Sequence, residues 1–488
     1  MVVQLNPKTT RATNLQLPGS SKDHALLETD YLIIGAGTLG LGFADQLFTE
    51  TNDSLLIVDK HHAPGGHWND AYPFVRLHQP SAFYGVGSRD LGSNRIDESG
   101  INKGYYELAS GAEVQTYFER LVRERFLPSG RVQYMPLSEY QSDGTVLSLA
   151  SGKVQEIKVR KKIVDGTFFN TAVPSVCPPA YEVDSACRVI PPNDLPRTIQ
   201  DYQHFTIVGG GKTGMDVGVW LLVNGVDPNS IRWIVPRDSW LINRETTQPG
   251  DRFYPRFLGA KATQLECCAK AESIEHLFEL LEQEEQLLRI DKSVQPSMYH
   301  NATIARAEVD LLSTIRDVIR LGRVERIGTS EIELQQGTIP AVEGSLYIDC
   351  SSSAISRRAT QNVFEGNTIT IQMIRAGLFS LSASVIAHVE ANYDSEEEKN
   401  RLCMPLVMPN ADTDWLVLNR AEGEILQRWS TDKPLRSWMA SQRLTGANLR
   451  SPAIEQSDEI KAIKARIRSA SGAAAANLDR LLDSLQPT

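Results

Sequence analysis

No stretch of this 488-residue sequence approaches the ~18 consecutive apolar residues that cross a membrane, so no helical span is expected. Cysteine is scarce. The six present (Cys177, Cys187, Cys267, Cys268, Cys350, Cys403) show no C-x-x-C spacing. With nine scattered histidines they form no zinc pattern either, and no metal is expected. Positive charge is in deficit: a net charge of -10 argues against a nucleic-acid surface. The opening stretch MVVQLNPKTTRATNLQLPGSSKD lacks the apolar core of a signal peptide, so a cytoplasmic location with reduced thiols is expected. What is present suits a globular chain, 41% apolar and 23% charged, and too long for one hydrophobic core.

The chain is organised around YLIIGAGTLG at residues 31–40. Tyr31-Leu32-Ile33-Ile34 reads as a short buried strand running into Gly35, Gly37 and Gly40 of a G-x-G-x-x-G turn that includes Thr38. A helical pattern through Leu41, Phe43, Ala44, Leu47 and Phe48 follows. Such a turn lets a pyrophosphate approach the backbone, and the helix N-terminus presents free N–H groups to it. The next strand, Leu55 to Val58, ends on Asp59, where an acid hydrogen-bonds an unphosphorylated ribose, as in FAD or NAD.

The same unit recurs. Phe205 to Val208 leads into Gly209, Gly211, Lys212, Thr213 and Gly214, a second G-x-G-x-x-G, and its second strand ends at Pro236-Arg237. A base there suits a 2′-phosphate, hence NADPH, with Lys212 near the pyrophosphate; a solvated arginine at a strand end is the alternative. Closing strands at Lys162–Asp165 and Leu346–Ser351 complete both units. Helices are expected over 111–125, 273–290, 302–321 and 382–391, and a strand over 367–372. Two helices should end the chain, with stripes at Ile460, Ile463, Ile467 and at Leu478, Leu481, Leu482, Leu485 that offer a homo-oligomer surface. The fold expected is α/β with two Rossmann-like domains and additional C-terminal helices.

Three runs resemble the class B flavoprotein monooxygenases, the flavin-containing and Baeyer–Villiger enzymes. Asp59-Lys60 followed by Gly65-Gly66-His67-Trp68 resembles their acid and Gly-Gly-x-Trp on the flavin side. Tyr72-Pro73-Phe74-Val75-Arg76 is similar to the Tyr-Pro-Gly-x-Arg run of Baeyer–Villiger enzymes, and Arg237-Asp238-Ser239-Trp240 to their Arg-Ser-x-x-Trp. The chain departs from that pattern in two places. It lacks the Phe-x-Gly-x-x-x-His signature between the fingerprints, and His78-Gln79 stands where the relatives place Asp or Asn. It resembles an atypical member.

The resemblance implies FAD and NADPH as cofactors, a small organic substrate and O2 as partners, and transfer of one oxygen atom through a flavin C4a-(hydro)peroxide. On it, residues 1–27 are an N-terminal arm, 28–198 the first part of the FAD-binding domain, and 199–354 the NADPH-binding domain with a helical insertion. Residues 355–450 return to the FAD domain and substrate region, and 451–488 are C-terminal helices. His78, Gln79 and Arg76 become the catalytic candidates. His78 would hold or protonate the reacting oxygen, with a structural histidine as the alternative; Gln79 would touch the flavin ring. Arg76 would pair with NADPH or the oxygen, or brace the loop. A flavin-dependent dehydrogenase and a non-catalytic redox sensor are the other function classes open to this chain.

Overall fold

The computed structural model describes residues 26–352 and 355–485. All of the expected N-terminal arm except its last two residues lies outside the described residues.

The first unit opens with β1 (Leu27–Ile34), α1 (Thr38–Glu50) and β2 (Leu55–Val58). A long loop, α2 (Gly111–Leu121), β3 (Val132–Met135) and β4 (Val154–Asp165) complete its N-terminal part. Ser110 caps α2 through a capping box with Glu113, and Val114, Phe118 and Leu121 carry its buried face. The chain then crosses to the second unit earlier than residue 198. Glu182–Val183 already pairs with Arg326 and Ile327, and β5 (Val189–Ile190) is an edge strand of the second sheet. The prolines at 174, 178 and 179 cannot continue a helix or a central strand, and the crossing falls there.

The second unit runs β6 (His204–Val208), α3 (Lys212–Val223), β7 (Ile231–Ile234) and β8 (Ser239–Asn243). Then come two helices, α4 (Tyr254–Lys270) and α5 (Ile274–Gln283). The helix expected over 273–290 stops early because Glu285 takes a positive φ and Leu287–Leu288 is a strand. The helix expected over 302–321 is instead β9 (Met298–Ile304), α6 (Arg306–Leu312) and β10 (Asp317–Ile319). Apolar residues at 304, 305, 309, 312 and 315 imitate a helical period because a strand and a helix bury successive ends of that run. The strand β11 (Ser345–Asp349) closes the unit.

The chain returns to the first unit with β12 (Thr368–Thr370), beside β4, and α7 (Phe379–Asn392), packed on α1. It ends with α8 (Asp414–Thr431) and α9 (Asp458–Asp483). The two expected terminal helices are therefore one 26-residue helix after a single turn at 452–455. Most of its stripe is packed within the chain, with Leu485 exposed. Ile460 and Ile463 pack with Tyr254 and Ala262 of α4, and Leu478 and Leu481 join the main core.

Both sheets have the same plan. β12-β4-β1-β2-β3, the parallel part of an eight-stranded sheet that also carries antiparallel strands, and the five-stranded, fully parallel β5-β11-β6-β7-β10 each set the first strand of the unit between its second and its closing strand. That order puts a crevice at the carboxyl ends of β1/β4 and of β6/β11, where open α/β sheets bind ligands. No described helix is long and apolar enough to cross a membrane.

Candidate nucleotide sites and the loop between them

The first glycine turn is tight, most of all at Gly40. A Cβ on Gly40 would run into the Gly35 carbonyl oxygen, and Gly37 lies against the Cα of Gly66. Gly65 donates to the Ala36 carbonyl at 2.8 Å, so the Gly65-Gly66 segment forms a wall of the turn. Close backbone approach to a diphosphate is what such a cradle permits.

Asp59 is buried, and its carboxylate is largely occupied. Oδ2 accepts from the Ala36 N–H at 2.5 Å, while Oδ1 takes the His61 N–H at 2.7 Å and His61 Nδ1 at 2.8 Å. A carboxylate has about four lone-pair positions, so one remains, on Oδ2, for a ribose hydroxyl. His61 Nε2 reaches Asp70 at 3.0 Å. The hydrogen bond to Asp59, working against partial burial, raises the His61 pKa. Asp59 is thus a joint of the turn as well as a ligand candidate, and His61 is its clamp. The Asp-x-His spacing was the only sequence signal for it.

The raised pKa gives a signed expectation. His61 stabilises the fold fully below its ordinary pKa of about 6.5, and the contribution disappears as pH rises through the higher folded value. Melting curves of wild type and His61→Gln should differ most in mildly acidic buffer and converge in alkaline buffer. A gap independent of pH would mean that the imidazole is not charged here.

Beyond Trp68 the loop touches three helix starts. Trp68 Nε1 donates to the Tyr84 hydroxyl at 2.7 Å, and that hydroxyl is bonded to Thr38 in the first turn of α1. Gln79 Nε2 donates to the Gly377 carbonyl at 3.3 Å, just before α7, and the Gly85 N–H donates to Ser380 Oγ in its first turn. The Tyr72 hydroxyl donates to Asp216 Oδ2 of α3 at 2.7 Å, and His78 Nε2 is 4.0 Å from the same oxygen. Phe74 stacks on Trp220 of α3.

His78 is half-buried, with 39% of its side chain accessible. Desolvation, and then the charge of Lys212, push its pKa down to about 4. Burial does the same to His67, whose pKa is also about 4. Arg76 is a different case. It is exposed and donates to the Leu108 carbonyl at 2.8 Å, bracing the loop. Lys60 is exposed as well.

At the second turn a Cβ on Gly214 would strike the Gly209 carbonyl, whereas Gly211 has open space beside it. Lys212 does not extend toward that space. Its Nζ lies 2.5 Å from Asp216 Oδ1 and 3.3 Å from Glu308 Oε1. Burial alone would lower the Lys212 pKa and raise that of Glu308. Asp216 and then Glu308 reverse the first effect and raise the Lys212 pKa, while Lys212 and Arg244 reverse the second and hold the Glu308 carboxyl at about 2. Arg244, 1% exposed, pairs with Glu308 Oε2 at 2.6 Å and donates to the His78 carbonyl at 3.0 Å. Nothing local in the sequence marked Arg244 or Glu308. Arg237 follows β7, and its Nη2 donates to Asn410 Oδ1 at 2.6 Å.

Two cavities flank this turn. One of about 330 Å³ lies at the carboxyl ends of β11 and β5, lined by Asp349, Ile190, Pro191 and Cys177. The other, about 270 Å³, lies at the ends of β7 and β10, lined by Gly210, Val235, Asp238 and Arg320. Those are the two sides on which a Rossmann sheet holds the halves of a dinucleotide.

Fold and turns together define a protein with two Rossmann-type dinucleotide-binding units. Within that class the chain belongs to the family of the mycobacterial protein Rv2000. It is 42% identical to that uncharacterized protein of Mycobacterium tuberculosis over 463 residues, covering 95% of this chain and 86% of the relative. No protein-family model matches the chain. Among solved structures, it is similar to the polycyclic ketone monooxygenase of Thermothelomyces thermophila, with 12% identity and a TM-score of 0.49 over 97% of this chain and 90% of that one. It is also similar to a flavin-containing monooxygenase from Stenotrophomonas maltophilia, with 13% identity and a TM-score of 0.45 over 75% of this chain and 98% of that one.

Proposed function

We propose that the protein is an FAD-dependent, NADPH-consuming monooxygenase that places one oxygen atom from O2 on a small organic substrate. The observation that carries this reading is the loop from Gly65 to Gly85, which joins the N-terminal ends of α1 and α7 to the first turn of α3. One segment thereby sees both nucleotide units, as hydride delivery between two cofactors requires.

Bound FAD would supply the redox chemistry, taking a hydride from NADPH and activating O2. The chain's part is to hold and screen. The Gly35–Gly40 turn and the start of α1 receive the diphosphate, and Asp59 offers its remaining lone pair to a ribose hydroxyl. The start of α7 places a positive dipole end beside Gln79, where it would favour negative charge on a group held there. Trp68 and Tyr72, both buried, keep water from the loop's inner side. His78, its pKa pushed down to about 4, would offer a hydrogen bond rather than a cation to a reacting oxygen.

The six cysteines are free, and burial raises the thiol pKa of Cys350, the one beside the second glycine turn. That does not suit a dithiol reductase. The test is NADPH oxidation by the FAD-loaded enzyme against a panel of ketones, amines and thioethers. Consumption stimulated by one class, with product one oxygen heavier, supports the reading. Electron transfer to artificial acceptors with no oxygenated product from any class would replace it with a dehydrogenase.

A further inference from the structure

His78 belongs to the loop of the first unit, but the second unit holds it. Arg244, the residue after β8, donates from Nε to the His78 carbonyl at 3.0 Å. Among the described residues, His78 makes no other hydrogen bond. On the ring side stands Asp216 Oδ2 of α3, 4.0 Å from Nε2 and itself held by the Tyr72 hydroxyl at 2.7 Å.

Arg244 is buried and braced. Its Nη2 pairs with Glu308 Oε2 of α6 at 2.6 Å, and its Nη1 donates to Asn102 Oδ1 at 3.4 Å. Glu308 Oε2 also accepts the Ala305 N–H at 2.8 Å. Asn102 in turn donates to Asp97 Oδ2 at 2.7 Å and to the Tyr106 carbonyl at 3.0 Å. Gln248 accepts the Tyr106 N–H at 2.8 Å and donates to the Arg244 carbonyl at 3.1 Å. One side chain of the second unit thus reaches two points of the first, His78 and Asn102, from a base that its own unit fixes.

A buried pair of charges is a poor source of stability alone, since apolar side chains of the same size often serve as well. What a planar guanidinium adds is direction, because its donors leave in fixed directions toward separate acceptors. Direction matters at His78: a displacement of about 1 Å in a group aimed at a reacting atom can cost about 10²-fold in rate. We infer that Arg244 is a positioning residue for oxygen transfer, fixing the backbone of His78 and through it the aim of the imidazole. This rests on the monooxygenase reading above and on the part it gives His78. The group that meets the oxygen in one unit is thereby set by how the other unit docks against it.

The test uses the FAD-loaded full chain with NADPH, O2 and the compound that the panel above finds oxygenated. Product and hydrogen peroxide are both measured against NADPH consumed. Arg244→Lys should slow product formation roughly tenfold, with hydrogen peroxide making up the difference, because an ammonium cannot copy the fork. Glu308→Gln, which keeps the side chain's size and loosens its hold on Arg244, is the second variant should Arg244→Lys fold poorly, and it should shift the same ratio in the same direction. His78→Ala with Arg244→Lys should transfer oxygen no more slowly than His78→Ala alone, since both changes act through one residue. Normal transfer in both Arg244→Lys and Glu308→Gln, beside a loss in His78→Ala, overturns the positioning role and leaves the monooxygenase reading in place. Losses that multiply in the double variant overturn it too, as does unchanged transfer in His78→Ala. No oxygenated product from wild type with any compound removes the monooxygenase reading and the inference with it.

Discussion

Arg244→Ala is expected to destabilise the protein by about 3–5 kcal/mol, because it removes one partner of a buried ion pair and leaves the other. Arg244 is 1% exposed and serves Glu308, the His78 carbonyl and Asn102 Oδ1. Without it Glu308 keeps Lys212 but loses its 2.6 Å partner, and the two oxygens lose a charged donor. The comparison variant is Arg326→Ala, whose pair with Glu333 is 41% exposed on both sides. An exposed pair of that kind is worth about 0–1 kcal/mol. Denaturant unfolding of both variants checks the contrast. Similar midpoints would mean that water reaches the network in solution. Arg244→Lys should recover only part of the loss, since one ammonium cannot replace a fork with three acceptors.

His78→Ala carries the second large effect, on chemistry rather than stability. Flavin reduction by NADPH should stay close to wild type, because His78 takes no part in holding either glycine turn. Oxygen transfer should fall on the order of 10²-fold, the usual effect of deleting one aimed donor in a screened site, with hydrogen peroxide released instead. With its pKa depressed to about 4, His78 is neutral throughout the working range. The wild-type oxygen-transfer step should therefore show no inflection near the ordinary histidine pKa of about 6.5. An inflection there that vanishes in His78→Ala would show that the imidazole is solvated and titrates normally. Unchanged coupling in the variant would return His78 to a structural role.

What could be read from the sequence was local. Gly40 and Gly214 announce their turns because a Cβ at either would collide with a carbonyl five residues back. Short apolar strands ending on Asp59 and Arg237 follow the same short-range logic. The resemblance to the class B enzymes rested on such stretches, and the duplicated parallel sheets agree with it. Lys212 shows the limit of local reading. Position made it a phosphate ligand, but Asp216, one turn on, and Glu308, 96 residues away, hold its ammonium in a buried network. Arg76 likewise shares a motif with His78 and ends up on the outer surface, bonded to Leu108. The terminal stripe looked free because its partner, α4, has no clear amphipathic pattern; half of that interface could not identify the other.

The central claim is that two nucleotide sites face one another across the Gly65–Gly85 loop, so that NADPH bound in the second unit reduces a flavin bound in the first. Anaerobic titration of the FAD-loaded chain with NADPH, followed through the flavin's visible absorption, tests it most directly. The account predicts stoichiometric bleaching by NADPH and slower or weaker bleaching by NADH. A flavin that stays oxidised under saturating NADPH would contradict it.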